Sequence, residues 1–266
     1  MDWSRIKTIF IITFLILDVY LLFQFMKSRD VNNYEIYTEA TVEQQLKDDQ
    51  ISYGELPTVQ IKAQYLSAKP KEFTKNDLGK LKSQMVTLSD SGTTLQAILD
   101  KPYQLSEKVE PSEVQDFLRE NVLNGEKYLF WKTNEKKNTI TCYQQYENAP
   151  LYQNINGMIT LEFNADHQII SYQQTYLGDI LKMSSKEEEI LTALKAIETL
   201  HQKGDLKPKS KITKVELGYS TLVQLAASQV LAPTWRVVVN DKESLYVNAF
   251  EGKIIDFNSD EKTSVE

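Results

Sequence analysis

One cysteine and two histidines are all that these 266 residues contain of the side chains that most often build disulfides or metal sites. Cys142 has no partner for an internal disulfide, which excludes the small disulfide-stapled class. It fits either the cytosol or the outer face of a bacterium that does not rely on disulfides. His167 and His201 cannot form a His-rich metal site and leave few candidates for a Ser-His or Cys-His pair. Glycine is sparse, and no Gly-rich phosphate loop occurs. Basic side chains are outnumbered 30 to 37. Residues 1–30 hold four basic and three acidic residues, which leaves 26 against 34, a net charge of −8, on residues 31–266. Such a surface excludes nucleic acid as a partner.

The remaining catalytic patterns fail on spacing or placement. "GYSTL" lacks the second glycine of a nucleophile elbow, and "SRIK" (Ser4 to Lys7) matches S-x-x-K in a flank rather than in a site. The acids of "KEEEI" read as the start of a helix, where carboxylates favour the dipole. No pair of acids is marked out for glycosidic chemistry. His167 reads as a turn residue and His201 as a helix-end residue. Cys142 reads as a small buried side chain in an apolar strand. No enzyme, cofactor or metal site is expected.

What the chain does have is a long apolar run at its start. From Ile6 to Met26 only Lys7, Thr13, Asp18 and Gln24 interrupt it, and a helix of that length covers the roughly 30 Å core of a bilayer. It reads as one transmembrane helix. The run is too long for a signal peptide and ends in "FMKSRDVNNY", which has no pair of small residues for cleavage. Arg5 and Lys7 on one flank against Lys27 and Arg29 on the other lean toward a cytoplasmic N-terminus. Asp18 sits near mid-span, where an aspartate costs roughly 2.5 to 3.5 kcal/mol, a penalty the surrounding Ile, Leu and Phe overcome. Two readings follow. Asp18 is either protonated and bonded to its own helix or local water, or it meets a donor on a partner helix. In the second case Ile11, Phe14, Leu15, Leu22 and Phe25 flank it on the same face at spacings of three, four and seven.

Beyond the anchor, residues 27–41 read as a polar linker. Thr41 then serves as N-cap of a short helix that carries Val42, Leu46 and Gln45 on one face. "TVQIKAQYLS" alternates as a half-buried strand, and "TTLQAILDKPYQL" reads as a strand ended near Pro102. These form a first module, residues 31–108. A second, residues 109–266, opens on a helix begun by Pro111 and Ser112, striped by Val114, Phe117, Leu118 and Val122, and stopped at Gly125. Four strand-like runs follow, "YLFWKT", "TITCYQQY", "GMITLEFN" and "QIISYQQTYL", the last two joined as a hairpin by "ADHQ". The next helix takes Ser185 and Glu188 as its capping box, Ile190, Leu194 and Ile197 as its stripe, and Gly204 as its stop. "KITKVELGYSTL", "TWRVVVN" and "SLYVNAFEGKIIDF" close the chain as strands, the last turned at Glu251 and Gly252. Strand runs broken by single helices predict an α+β fold with mainly antiparallel sheet behind one N-terminal transmembrane helix.

The opening "MDWSRIKTIFIITFLILDVYLLFQF", the segment "YENAPLYQNINGMITLEFN" and the closing "KVELGYSTLVQLAASQVLAPTWRVVV…YVNAFEGKIIDF" resemble the YycI (WalI) family, regulatory proteins of the YycG/YycF (WalK/WalR) two-component system of low-GC Gram-positive bacteria. The resemblance implies a single-pass protein of the cell membrane with an extracytoplasmic α+β region. It implies action with YycH on the sensor kinase YycG (WalK), which controls cell-wall metabolism, and a transmembrane helix that makes much of the kinase contact. It also implies a cytoplasmic N-terminus. Within the tail, a helix followed by "PTWRV", "YVNA" and "EGKI" looks like a PepSY-type module, in which Trp235 and Val237 to Val239 read as core of a central strand and Gly252 as a hairpin turn. The rival to a kinase regulator is a sensory module whose extracytoplasmic part binds a cell-wall fragment or lipid intermediate.

Overall fold

The computed structural model describes residues 3–30, 35–57, 61–225 and 227–257. It falls into two compact units, residues 1–52 and residues 53–266.

The first unit is helical. Helix α1 (Trp3–Asp30) runs unbroken for 28 residues, about 42 Å at the α-helical rise. Its described side chains from Lys7 to Leu22 are all exposed. Counting only described residues, whose side chains in the apolar part of α1 run from Lys7 to Leu22, no helix is long and apolar enough to cross a membrane. Helix α2 (Glu35–Asp48) begins six residues before Thr41, so Thr41 lies inside it rather than capping it, and much of the expected linker is helical. Residues 35–41 contain no glycine or proline to stop a helix. Val42 and Leu46 are buried one turn apart, whereas Gln45 is exposed. Gln50 takes a left-handed φ of 56°. The amide of Ile51 reaches back to the Leu46 carbonyl at 2.8 Å and that of Gln50 to Lys47 at 2.9 Å, which satisfies the last carbonyls of the helix.

The second unit is a sheet with few helices. Its elements are β1 (Ser52–Tyr53), β2 (Lys62–Ala63), β3 (Leu66–Pro70), α3 (Lys75–Leu78), β4 (Gln84–Leu88), β5 (Thr94–Gln104), α4 (Pro111–Asn121), β6 (Tyr128–Asn134), β7 (Thr139–Tyr146), β8 (Ala149–Tyr152), β9 (Met158–Phe163), β10 (Gln168–Thr175), β11 (Leu177–Lys182), β12 (Glu188–Glu189), α5 (Ala193–Lys203), β13 (Lys211–Gln224), β14 (Gln229–Val239), β15 (Glu243–Asn248) and β16 (Ile254–Ile255). Strands β6, β7, β9, β10, β5 and β4 are neighbours in that order, each pair antiparallel. Strands β13, β14, β15 and β16 form an antiparallel meander. β3 lies against the first part of β14, and β11 against β3. β8 joins the two groups, antiparallel to β7 and parallel to β13. Strands from both expected modules, β1, β3, β4 and β5 from the first and β6 to β11 and β13 to β16 from the second, therefore share one hydrogen-bonded network, while β2 and β12 pair apart from it.

A helix followed by an antiparallel meander occurs twice, as α4 with β6, β7, β9 and β10 and as α5 with β13 to β16. In the first copy Val114, Phe117 and Leu118 of α4 pack on Leu95, Ile140, Ile159, Leu161 and Ile169 of the sheet. In the second, Ala193, Ala196, Ile197 and Leu200 are the buried face of α5, and Trp235 Nε1 donates to the Leu191 carbonyl at 2.8 Å. The hairpin of β9 and β10 forms as the sequence indicates, and Trp235, Val237 and Val239 are buried in β14, which has neighbours on both sides.

Four local expectations are corrected. The alternating stretch 58–67 is not one strand. Residues 58–60 lie outside the described residues, β2 pairs with β12 while β3 pairs with β14 and β11, and Gln64 between them is buried. Pro102 lies inside β5 rather than ending it: the β10 register jumps from Ile169↔Tyr103 to Ser171↔Ile98, so no ladder bond is asked of the missing N–H. Helix α4 does not stop on a left-handed glycine. Asn124 takes the positive φ of 52°, and Gly125 is required because a Cβ there would overlap the Leu118 carbonyl. Finally, Ser185 and Glu188 do not cap α5. Glu188 and Glu189 pair with Ala63 and Lys62, the amides of Ile190 and Leu191 donate to Ile61 and Ala249, and Thr192 caps the helix through the Lys195 amide at 3.2 Å. The acids of "KEEEI" thus precede the helix in extended backbone. Gly204 does stop α5, at a φ of 82°.

Candidate partner-binding site

Helix α1 carries Ile11, Phe14, Leu15, Asp18, Leu22 and Phe25 within an arc of about 100° at the helical angle per residue. Ile11, Phe14, Leu15 and Leu22 are 65, 58, 60 and 59 % exposed, so among the described residues of the first unit none covers this face. The Phe25 side chain lies outside those described. Phe10 and Phe14 stack with ring centroids 6.4 Å apart. Asp18 is exposed among these side chains, and among the described residues no hydrogen bond or ion pair engages its carboxylate. Thr13, the other polar side chain of the central run, differs: its hydroxyl donates to the Ile9 carbonyl at 2.9 Å and is satisfied within the helix. The helix therefore offers one unsatisfied acceptor on an apolar face.

In the second unit the residues weighed for chemistry are spread apart. Cys142 is fully buried in β7, and burial pushes its thiol up, away from thiolate chemistry. His167 sits in the β9–β10 turn at a φ of 55° and stacks on Phe163 at 5.9 Å. His201 is in the last turn of α5. Among the described residues no group of three or more His, Cys, Asp or Glu could hold a metal. A polar cleft of 370 Å³ lies beside the end of α4, lined by Lys80, Gln84, Arg119 and Glu126 among others.

One cluster escaped the sequence reading. Arg236 of β14 lies over the Trp131 ring at 4.0 Å, donates to Ser244 Oγ at 3.0 Å, and donates to Glu216 Oε1 at 2.6 Å. Trp131 in turn contacts Tyr143 and Tyr152 at 5.5 and 5.8 Å, and Tyr152 contacts Tyr246 at 5.3 Å. Burial pushes the Glu216 carboxyl up, but the bonds and charges of Lys214 and Arg236 prevail and hold it below its usual range. These residues come from β6, β7, β8, β13, β14 and β15, so the cluster fastens one meander to the other. Its near-complete burial at Tyr152 and Tyr246 makes it a structural lock rather than a ligand site.

The geometry defines an α+β protein of two helix-and-meander units, preceded by a helix whose apolar face is unpartnered. The chain belongs to the YycI family: the family model, described as YycI protein, matches residues 31–250. No curated protein matches. Among solved structures, a protein from Eubacterium rectale ATCC 33656 is similar at a TM-score of 0.43 and 9 % identity, over 79 % of this chain and 91 % of that one. The Bacillus megaterium YpeB C-terminal domain is similar at 0.39 and 10 % identity, over 82 and 95 %. YycH from Bacillus subtilis is similar at 0.38 and 18 % identity, over 80 % of this chain and 59 % of that one.

Proposed function

We propose that this chain is a single-pass protein of the cell membrane that, together with YycH, modulates the sensor histidine kinase YycG (WalK) and through it cell-wall signalling. Its N-terminus is cytoplasmic and residues 31–266 are extracytoplasmic. Membership of the YycI family supports involvement in the YycG system. The observation that carries the mechanism is the unpartnered face of α1. In this reading Ile6 to Met26 spans the bilayer, and Ile11, Phe14, Leu15, Leu22 and Phe25 pack against a partner helix around Asp18. Without water, a carboxylate at mid-span gains from a donor across the interface. Such contacts average about 0.6 kcal/mol and reach about 1.7, so packing supplies the rest.

The test is crosslinking to the kinase and to YycH in membranes. Asp18→Leu should insert normally, since it removes an insertion cost, and should weaken association by roughly three- to fifteen-fold. Thr13→Leu should change little, because the Thr13 hydroxyl is satisfied by Ile9. Equal crosslinking by Asp18→Leu and the parent, at equal protein level, would show that Asp18 is not the contact. A pull-down separates the rival sensory reading: capture of the kinase by residues 1–30 alone supports a helix-borne contact, and capture only with residues 31–266 supports a contact through the extracytoplasmic part.

A further inference from the structure

Between Leu217 and Trp235 the chain has no Asp, Glu, Lys or Arg, although a quarter of all residues are charged. Burial explains part of this, because Gly218, Ser220, Leu231, Ala232 and Trp235 are interior positions of β13 and β14. It does not explain the tip of that hairpin. Leu222, Val223 and Leu225 are 42, 45 and 55 % exposed, beside a turn closed by the Leu225 amide on the Ser228 carbonyl at 2.8 Å. The other hairpin turns of the unit each carry a charge, through Asp90, Lys136, Glu147, Asp166, Asp241 and Glu251 respectively. The β13 register shifts between Thr221 and Val223, and such a bulge re-aims the side chains beside it. Val223 is in register with Val230, Val230 with Ser67, and Ser67 with Leu181, which is 63 % exposed. Residues in register share a sheet face, so Val223, Val230 and Leu181 lie on one face from the tip to the edge strand β11, with the small Ser67 between the last two.

We infer that the β13–β14 hairpin tip is a second membrane contact, in which Leu222, Val223 and Leu225 enter the lipid interface. The inference rests on the reading of Ile6–Met26 as a bilayer span. Only 22 residues separate Asp30 from Tyr53, and 14 of them form α2, so the tether holds the second unit within about 50 Å of the bilayer. At that range the lipid surface is present at high effective concentration. Residues 31–266 are acidic, and an acidic surface meets a neutral or anionic lipid surface at least cost where its own charges are missing. The tip combines that lack of charge with exposed leucine and valine, side chains that gain from leaving water in proportion to their apolar area.

The experiment uses the full chain in phosphatidylcholine vesicles, with Leu225→Cys carrying an environment-sensitive fluorophore. Cys142 is buried and does not compete for label. Val223→Cys repeats the measurement in case one position perturbs the turn. Ile98→Cys, at a position 60 % exposed on β5, is the solvent reference. The expected result is a blue-shifted emission at Leu225→Cys, quenched several-fold more strongly than at Ile98→Cys by lipids bearing nitroxides in the acyl chain. Equal quenching of both probes by aqueous iodide, with no lipid quenching at either tip position, overturns the inference while flotation of the chain with the vesicles leaves the anchor intact. A chain that does not float overturns both. A blue shift without lipid quenching that grows with the protein-to-lipid ratio also overturns it and assigns the tip to contact between copies of the chain.

Discussion

Arg236 is held by three different interactions, and the charged one with Glu216 ties its contribution to pH. Its guanidinium stacks on Trp131 and donates to Ser244 and Glu216, while Glu216 also takes a charged bond from Lys214 at 2.5 Å. Removing Glu216 leaves the largely buried Arg236 guanidinium without its carboxylate, which costs more than the net worth of the pair, whereas removing Arg236 leaves Glu216 its bond from Lys214. Because Glu216 is held below its usual range, the folded state binds its proton less readily than the unfolded chain. Its contribution is therefore fully present above the ordinary glutamate value of about 4.3 and is lost as pH falls through the lower folded value. Glu216→Gln is expected to flatten that acid limb. In denaturant titrations across the acid range, the parent should lose stability faster than the variant as pH drops below about 4.3. Parallel curves would show that Glu216 titrates alike in both states.

Helix α5 shows how an element's start depends on strands distant in sequence. "SSKEEEI" has the composition of a helix N-terminus, yet the backbone of residues 188–191 is taken by residues 61–63 and 249, so the helix waits for Thr192. Thr192→Ala is expected to destabilise the protein by about 1 kcal/mol, and Ser185→Ala to leave it unchanged, as read by denaturant midpoints. The same dependence separates what the sequence discloses from what it conceals. Helix α4 and the β9–β10 hairpin are legible because Val114, Phe117 and Leu118, or the alternation of Ile159, Leu161 and Phe163, are local periods that need no distant partner. Residues 58–67 alternate equally well, but within the described part Lys62 and Ala63 pair with β12 while Leu66 and Ser67 pair with β14 and β11, and no local pattern encodes a change of sheet. At the sites the division is alike. Asp18 stands out in the sequence as a charge in an apolar run. Trp131, Glu216 and Arg236 do not, since only the β13–β14 register and the approach of β6 bring them together.

For the whole molecule, the two meanders are too firmly joined to behave as separate folding units. β8 bonds to both β7 and β13. Gly218 permits that approach, because a Cβ there would press into the Pro150 carbonyl oxygen and the Tyr152 ring. The aromatic cluster around Trp131 adds a second connection, and β5 and β3, from the early part of the chain, complete sheets built mainly by the later part. Loss of either half would expose the other's buried face, which is the condition for one cooperative transition. The acidic surface opposes self-association, and apart from the small β13–β14 tip the long exposed apolar run belongs to α1. Residues 31–266 produced without that helix are therefore expected to be soluble and to melt in a single transition. The core of that fragment is built from apolar side chains such as Phe117, Ile159 and Trp235, and among the described residues no cluster could hold a metal, so a chelator is expected to leave the melting temperature unchanged. A large drop on chelation would show a structural metal, and two separated transitions would show that β8 and the Trp131 cluster do not couple the halves.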